Sequence, residues 1–139
     1  MGPSDTPLKM LVVDDFVTMT RVMKTLAHRI GFEHVDVCHD GASALELLRA
    51  GQYGLVLCDL EMQPVNGTEF ARRARAELCG RPCVILLTTA SRESATKAVR
   101  DGMHAFVDGF ILKPFNSDDL KAKLMEIAAR VAGGQNSVG

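Results

Sequence analysis

The chain has 139 residues, 47% of them hydrophobic, with 16 Lys and Arg against 17 Asp and Glu and a formal net charge of -1. That length and apolar content suit one soluble domain with one core, and the even charge excludes an electrostatic case for wrapping nucleic acid or lying on an anionic membrane. The longest apolar runs, such as Val84 to Leu87, are far too short to span a bilayer, and the opening MGPSDTPL lacks a charged-then-apolar signal pattern. The expected location is the cytoplasm.

Short apolar runs rich in β-branched residues alternate with segments of helical period, the pattern of an α/β domain with a mostly parallel sheet. The first strand is expected at Met10 to Val13, followed by a helix over FVTMTRVMKTLAHRIGF, where Val17, Met19, Val22, Met23, Leu26, Ala27 and Ile30 recur near a 3.6-residue period and Gly31 stops the run. A second strand at His34 to Cys38 leads into GASALELLRAGQ, with Ser43 as the candidate N-cap and Gly51 as terminator. The third strand, Leu55 to Cys58, is followed by a helix that starts after Gly67 and ends at Gly80. The fourth strand, Cys83 to Leu87, precedes SRESATKAVRDGMHA, with a serine cap three residues before Ser94. The fifth strand, Gly109 to Leu112, precedes NSDDLKAKLMEIAARVA, where Ser117 and two early acids suit a positive helix N-terminus. Continuous apolar strands of this kind are covered by helices on both faces. The expected domain spans residues 8 to 132, with 1 to 7 and 133 to 139 as flexible termini. Cys38, Cys58, Cys79 and Cys83 lack paired C-x-x-C spacing and read as small hydrophobes in a reducing compartment.

In a parallel α/β sheet, ligands gather outside the carboxyl ends of the strands. The first strand ends on Asp14 and Asp15, and the third places Asp59 at the matching position. Three carboxylates in one crevice need a counter-charge, and a hard divalent cation, Mg2+ in particular, takes one or two carboxylates while bridging to phosphate oxygens. The remaining strand ends supply Thr88 and Thr89, then Lys113 followed by Pro114. A hydroxyl, an ammonium and a metal suit a phosphoryl group, and a carboxylate nucleophile, with Asp59 nearest the middle of the sheet, would form an acyl phosphate on it.

The pieces LVVDDF with TMTR, GFEHVDVCHDGASALELL, YGLVLCDLEMQPVNGTEF, VILLTTA and DGFILKPF, in that order, resemble the receiver domain of two-component response regulators, most closely its stand-alone chemotaxis members. The resemblance runs from about Lys9 to Val131 and implies a flavodoxin-like (βα)5 fold with strand order 2-1-3-4-5. It implies Asp59 as phosphoacceptor, Asp15 as a direct Mg2+ ligand, Asp14 as a second acid acting through a water, and the backbone carbonyl of Glu61 as a further ligand. Lys113 would pair with a phosphoryl oxygen, and one threonine would bond the phosphoryl group. Four apolar residues before Thr88 favour Thr88, with Thr89 as the alternative. Phe110 matches the aromatic switch position, against the simpler reading of a core aromatic, and Pro114 is the cis-peptide candidate. The implied partners are a histidine kinase as donor, a flagellar motor switch protein or another phosphorylation-dependent protein target, and a phosphatase. The chain is then no enzyme beyond its own phosphoryl transfer and autodephosphorylation. With no effector domain expected after Val131, output would be protein binding by the face of the fourth helix, fifth strand and fifth helix.

Departures from the resemblance fall in two places. EMQPVNG inserts Gln63 before Pro64, which predicts an altered third loop, and GMHAFVDG holds extra residues before the fifth strand. Glu61 adds a carboxylate beside the site. Two receiver readings compete, a chemotaxis messenger that binds the motor switch and a phosphorelay intermediate or phosphate sink. An aspartate-nucleophile phosphatase is a more distant alternative, because DLE offers a second acid two residues after Asp59. The four histidines carry no metal-ligand spacing, and Arg72, Arg73 and Arg75 read as a solvated helix face.

Overall fold

The computed structural model describes residues 9–137, with side chains described as far as residue 130. Strands β1 (Lys9–Val13), β2 (His34–Cys38), β3 (Leu55–Asp59), β4 (Val84–Thr89) and β5 (Gly109–Leu112) alternate with helices α1 (Val17–Arg29), α2 (Gly41–Ala50), α3 (Gly67–Leu78), α4 (Arg92–Arg100) and α5 (Ser117–Ser137). All strand pairs are parallel, and the sheet order is β2-β1-β3-β4-β5, a flavodoxin-like arrangement as expected.

Strand periodicity divides the core in two. Leu11, Val13, Val56, Cys58, Ile85 and Leu87 face α2, α3 and α4 through Leu48, Phe70, Ala74 and Ala98. Met10, Val12, Leu55, Leu57, Leu86 and Ile111 face α1 and α5 through Met23, Ala27, Leu120 and Ile127. The three interior strands, β1, β3 and β4, are therefore apolar on both sides, which is why they read as continuous runs rather than as an alternation.

Several boundaries shift for local reasons. β3 and β4 run on to Asp59 and Thr89, and Asp59 pairs with Thr88 in the ladder, so the polar residues at the sheet edge are held by strand hydrogen bonding. The cap of α2 is Asp40, not Ser43: its carboxylate accepts from the Ser43 N–H at 2.8 Å and the Ser43 hydroxyl at 3.0 Å. A residue with extended backbone can cap, and Asp40 has φ -155, whereas Ser43 already lies inside the helix. α5 is capped by Asn116, whose Oδ1 accepts from the Asp119 N–H at 2.8 Å while the Asp119 carboxylate accepts from the Asn116 N–H at 3.0 Å. α4 stops at Arg100, and Gly102 at φ +90 admits a short 3-10 turn, Met103–Ala105, before β5. α5 continues to Ser137, five residues beyond the expected boundary, because glycines such as Gly133 and Gly134 weaken a helix without forbidding it.

Arg75 departs from the expected solvated face. Its guanidinium donates to the Phe106 and Cys83 carbonyls at 2.7 and 2.9 Å and pairs with Asp108 at 2.9 Å. Asp108 in turn accepts from the Ile85 N–H at 2.8 Å, so one arginine of α3 ties down both the entry to β4 and the segment before β5. Arg72 stacks over the Phe106 ring, and Arg73 pairs with Glu69 on the exposed side of α3. The four cysteines are free, with Cys38 and Cys58 buried, Cys83 half-buried and Cys79 exposed.

Candidate functional site

The carboxyl ends of β1, β3 and β5 converge on three acids and a lysine. The Lys113 ammonium lies 3.3 Å from Asp14 Oδ2 and 3.2 Å from Asp59 Oδ1. Asp14 is wholly buried, and Asp59 nearly so. Asp15 is exposed at the rim, where its Oδ2 accepts a long 3.4 Å contact from the Gln63 N–H. One carboxylate oxygen from each of Asp14, Asp15 and Asp59 lies within 4.8 Å of the others.

Burial pushes the Asp14 carboxyl above its ordinary range, opposed by the Phe16 N–H, which donates to Oδ1 at 2.9 Å, and by the Lys113 ammonium, while the neighbouring Asp59 charge adds to the rise. Burial pulls Lys113 the other way, but the Asp14 and Asp59 carboxylates outweigh it, so the ammonium is held above its ordinary pKa. Among the described residues this single ammonium stands against three carboxylates, and the surplus of negative charge fits a hard divalent cation with oxygen ligands.

The loop after β3 is fixed from both ends. Met62 is fully buried between the exposed Glu61 and Gln63, and the Gln63–Pro64 peptide is cis. Asn66 caps α3 by accepting from the Glu69 N–H at 2.9 Å, and Gly67 donates its N–H to the Leu60 carbonyl at 2.9 Å. A Cβ at Gly67 would lie 2.5 Å from the Asp59 carbonyl oxygen and 2.8 Å from the Leu60 Cα, so only glycine lets α3 start against the backbone that carries Asp59. The Lys113–Pro114 peptide is also cis.

The two threonines sit differently. Thr88 lies opposite Asp59 in the ladder, and its hydroxyl is buried without a partner among the described residues. Thr89, the last residue of β4, points its hydroxyl at the Glu61 carboxylate, with oxygen distances of 2.8 and 3.0 Å, and accepts from the Ser91 N–H at 3.0 Å. Phe110 is half-buried, opposite Leu87 in the ladder, and packs against the core on the α4 side of the sheet. The histidines stay apart from the acids: His28 bonds the Phe32 carbonyl, His39 meets the Thr20 hydroxyl at 3.3 Å, and His34 and His104 are exposed.

Residues 10–125 match the family described as the response regulator receiver domain. The chain belongs to that family. Among curated receivers, chemotaxis protein CheY-3 of Vibrio cholerae is 36% identical over 126 residues, which cover 89% of this chain and 94% of the relative. Chemotaxis protein CheY of Pseudomonas aeruginosa is 33% identical, over 91% of this chain and 100% of its own length. Among solved structures, the response regulator TrrA of Thermotoga maritima, in complex with Mg(2+)-BeF, superposes with a TM-score of 0.74 at 29% identity, covering 86% of this chain and 98% of that one. CheY4 of Vibrio cholerae reaches a TM-score of 0.74 at 24% identity, over 88% and 99% of the two chains, and shows the shared receiver fold. No described helix of this receiver is long and apolar enough to cross a membrane.

Sequence reasoning reached Asp14, Asp15, Asp59 and Lys113 because each terminates a recognisable strand. It did not reach the Glu61 side chain's contact with Thr89, since nothing in DLE fixes which way a loop carboxylate turns. Gly67 was legible only as a helix boundary, and its contact with the Asp59 backbone is a tertiary fact.

Proposed function

We propose that this receiver takes a phosphoryl group from a histidine kinase onto Asp59, with Mg2+ bound, and signals by changing which proteins bind its surface. The observation that carries the reading is the Lys113 ammonium bridging buried Asp14 and Asp59 at 3.3 and 3.2 Å, with Asp15 at the rim. Mg2+, held by the carboxylates of Asp14, Asp15 and Asp59 and by the Glu61 backbone carbonyl, would supply positive charge to offset the phosphoryl oxygens.

A carboxylate oxygen of Asp59 attacks phosphorus, the P–N bond to the donor imidazole breaks, and its electron pair returns to the ring nitrogen. The product is an acyl phosphate on Asp59. Lys113 loses its ion pair with the free Asp59 carboxylate and bonds a phosphoryl oxygen in its place. For the hydroxyl we assign Thr89 over Thr88. Thr88 is enclosed in the ladder between Asp59 and Ile111, whereas Thr89 ends its strand and already bonds an anionic oxygen, that of Glu61, two residues beyond Asp59. A phosphoryl oxygen has the same acceptor chemistry. Drawing Thr89 toward Asp59 would be coupled to a change of rotamer at Phe110, opposite Leu87 on the neighbouring strand, and so would alter the α4, β5 and α5 face.

The names of the curated relatives support a chemotaxis output, with the flagellar motor switch as the phosphorylation-dependent target and a phosphatase resetting the signal. Transfer of labelled phosphoryl from a phosphorylated chemotaxis kinase to the wild type, and not to Asp59→Asn, tests the donor half. Binding of the phosphorylated protein to a motor switch protein tests the output half. Transfer without such binding would move the reading to a phosphorelay intermediate or phosphate sink.

A further inference from the structure

Glu61 makes an interaction that the acid cluster does not need. Its carboxylate stands 2.8 and 3.0 Å from the Thr89 hydroxyl, yet the side chain belongs to an exposed residue that water could solvate fully. The hydroxyl has one proton to donate, and Thr89 is wholly buried, so the bond to Glu61 uses the one donor of the Thr89 side chain. The same hydroxyl accepts from the Ser91 N–H at 3.0 Å, and Ser91 is the N-cap of α4. Glu61, Thr89 and Ser91 thus form a chain from the rim of the acid cluster to the start of α4.

Beside Glu61 lies a groove of about 330 Å³ between the β3–α3 loop and α4, lined by Glu61, Gln63, Asn66, Ser94 and Lys97. It gives the carboxylate somewhere to go. Lys97 on its wall pairs at 2.7 Å with Asp101 but remains exposed, so it can meet a second carboxylate without being stripped of water.

We propose that Glu61 is a positioning residue that latches the Thr89 hydroxyl in the unphosphorylated receiver, and that a phosphoryl group on Asp59 must displace it, turning the Glu61 carboxylate into the groove beside Lys97. The proposal rests on Thr89 as the phosphoryl-binding hydroxyl. Phosphorylation and the latch then compete for one proton, and the latch sets how far the equilibrium favours the resting state. Because the hydroxyl also holds the α4 cap, release at Glu61 reaches the partner-binding face through a hydrogen bond already in place.

The test is the dissociation constant of beryllofluoride, a phosphoryl mimic, measured with Mg2+ by titration for a double-mutant cycle of Glu61→Ala and Thr89→Val. Loss of a charge-assisted hydrogen bond from the resting state should tighten binding by about tenfold in Glu61→Ala. In the Thr89→Val background the same change should tighten it by less than about threefold, the part due to removed negative charge alone. Thr89→Ser, which keeps the hydroxyl, should restore the larger effect. Equal effects of Glu61→Ala with and without the hydroxyl would overturn the latch while leaving the Thr89 assignment intact. With the latch already removed in Glu61→Ala, a further Thr89→Val change that leaves beryllofluoride affinity unaltered would overturn the Thr89 assignment and the latch with it.

Discussion

Replacing Lys113 by Met removes the one cation among the described residues that faces Asp14 and Asp59, and its consequences can be worked from the geometry. Asp14 is wholly buried, so among the described residues its carboxylate keeps only the Phe16 N–H at 2.9 Å as a partner. Breaking a buried pair by deleting one member costs about 3–5 kcal/mol. The Lys113 side chain is 17% exposed and one N–H bond survives, which brings the expected loss to about 2–3 kcal/mol near neutral pH. The pH dependence has a definite sign. The Asp14 pKa is already raised in the folded state, so the folded protein binds its proton more readily than the unfolded chain, and stability falls as pH rises from 3.8 through the folded value. Without Lys113 that rise grows, so the variant's deficit should shrink on acidification as Asp14 takes up a proton. Lys113 itself, raised above 10.5, contributes stability at neutral pH that is lost as pH climbs through its folded pKa. Urea unfolding of wild type and Lys113→Met at two pH values, with and without Mg2+, provides the assay. Mg2+ should narrow the gap at neutral pH, because the acid cluster that has lost its ammonium binds the cation more tightly, and a ligand that binds only the folded state stabilises it by mass action. A variant as stable as the wild type at neutral pH, or one whose deficit widens on acidification, would refute the reasoning.

Other sites carry their own expectations. Gly67→Ala should cost about 1–3 kcal/mol and slow phosphorylation at Asp59, since the new methyl would sit 2.5 Å from the Asp59 carbonyl oxygen, a contact that only backbone movement relieves; denaturant melts and intact-mass kinetics read the two effects. Arg75→Ala should destabilise by about 2–4 kcal/mol, and Arg75→Lys should recover little of it, because one ammonium cannot reach the Phe106 and Cys83 carbonyls and Asp108 together. Asp40→Ala should lower stability by about 1 kcal/mol and Ser43→Ala by only a few tenths, as melts would report, because Asp40 is the cap of α2.

The parts of the fold that were legible in the sequence are those with a one-dimensional signature. Continuous runs such as Val56, Leu57 and Cys58 mark strands covered on both faces, and residues beyond them fall at the sheet edge, which is how Asp14, Asp59 and Lys113 could be brought together on paper. Where two neighbours compete for one local role, the chain alone did not decide: Ser43 and Asp40 both have capping side chains, and only backbone conformation selects Asp40. The same holds for Thr88 and Thr89, which differ by one step in a strand and therefore point to opposite faces. Arg75 looked like its exposed neighbours Arg72 and Arg73 because its acceptors lie on segments 8 to 33 residues away in sequence, and a helical period carries no record of them.

Asp59 as phosphoacceptor is the central claim, and intact mass after incubation with acetyl phosphate tests it most directly. The wild type should gain one phosphoryl group in the presence of Mg2+, and neither Asp59→Asn nor the wild type with chelator should gain any. A gain that survives in Asp59→Asn, or no gain in the wild type even when a phosphorylated histidine kinase is supplied, would contradict it.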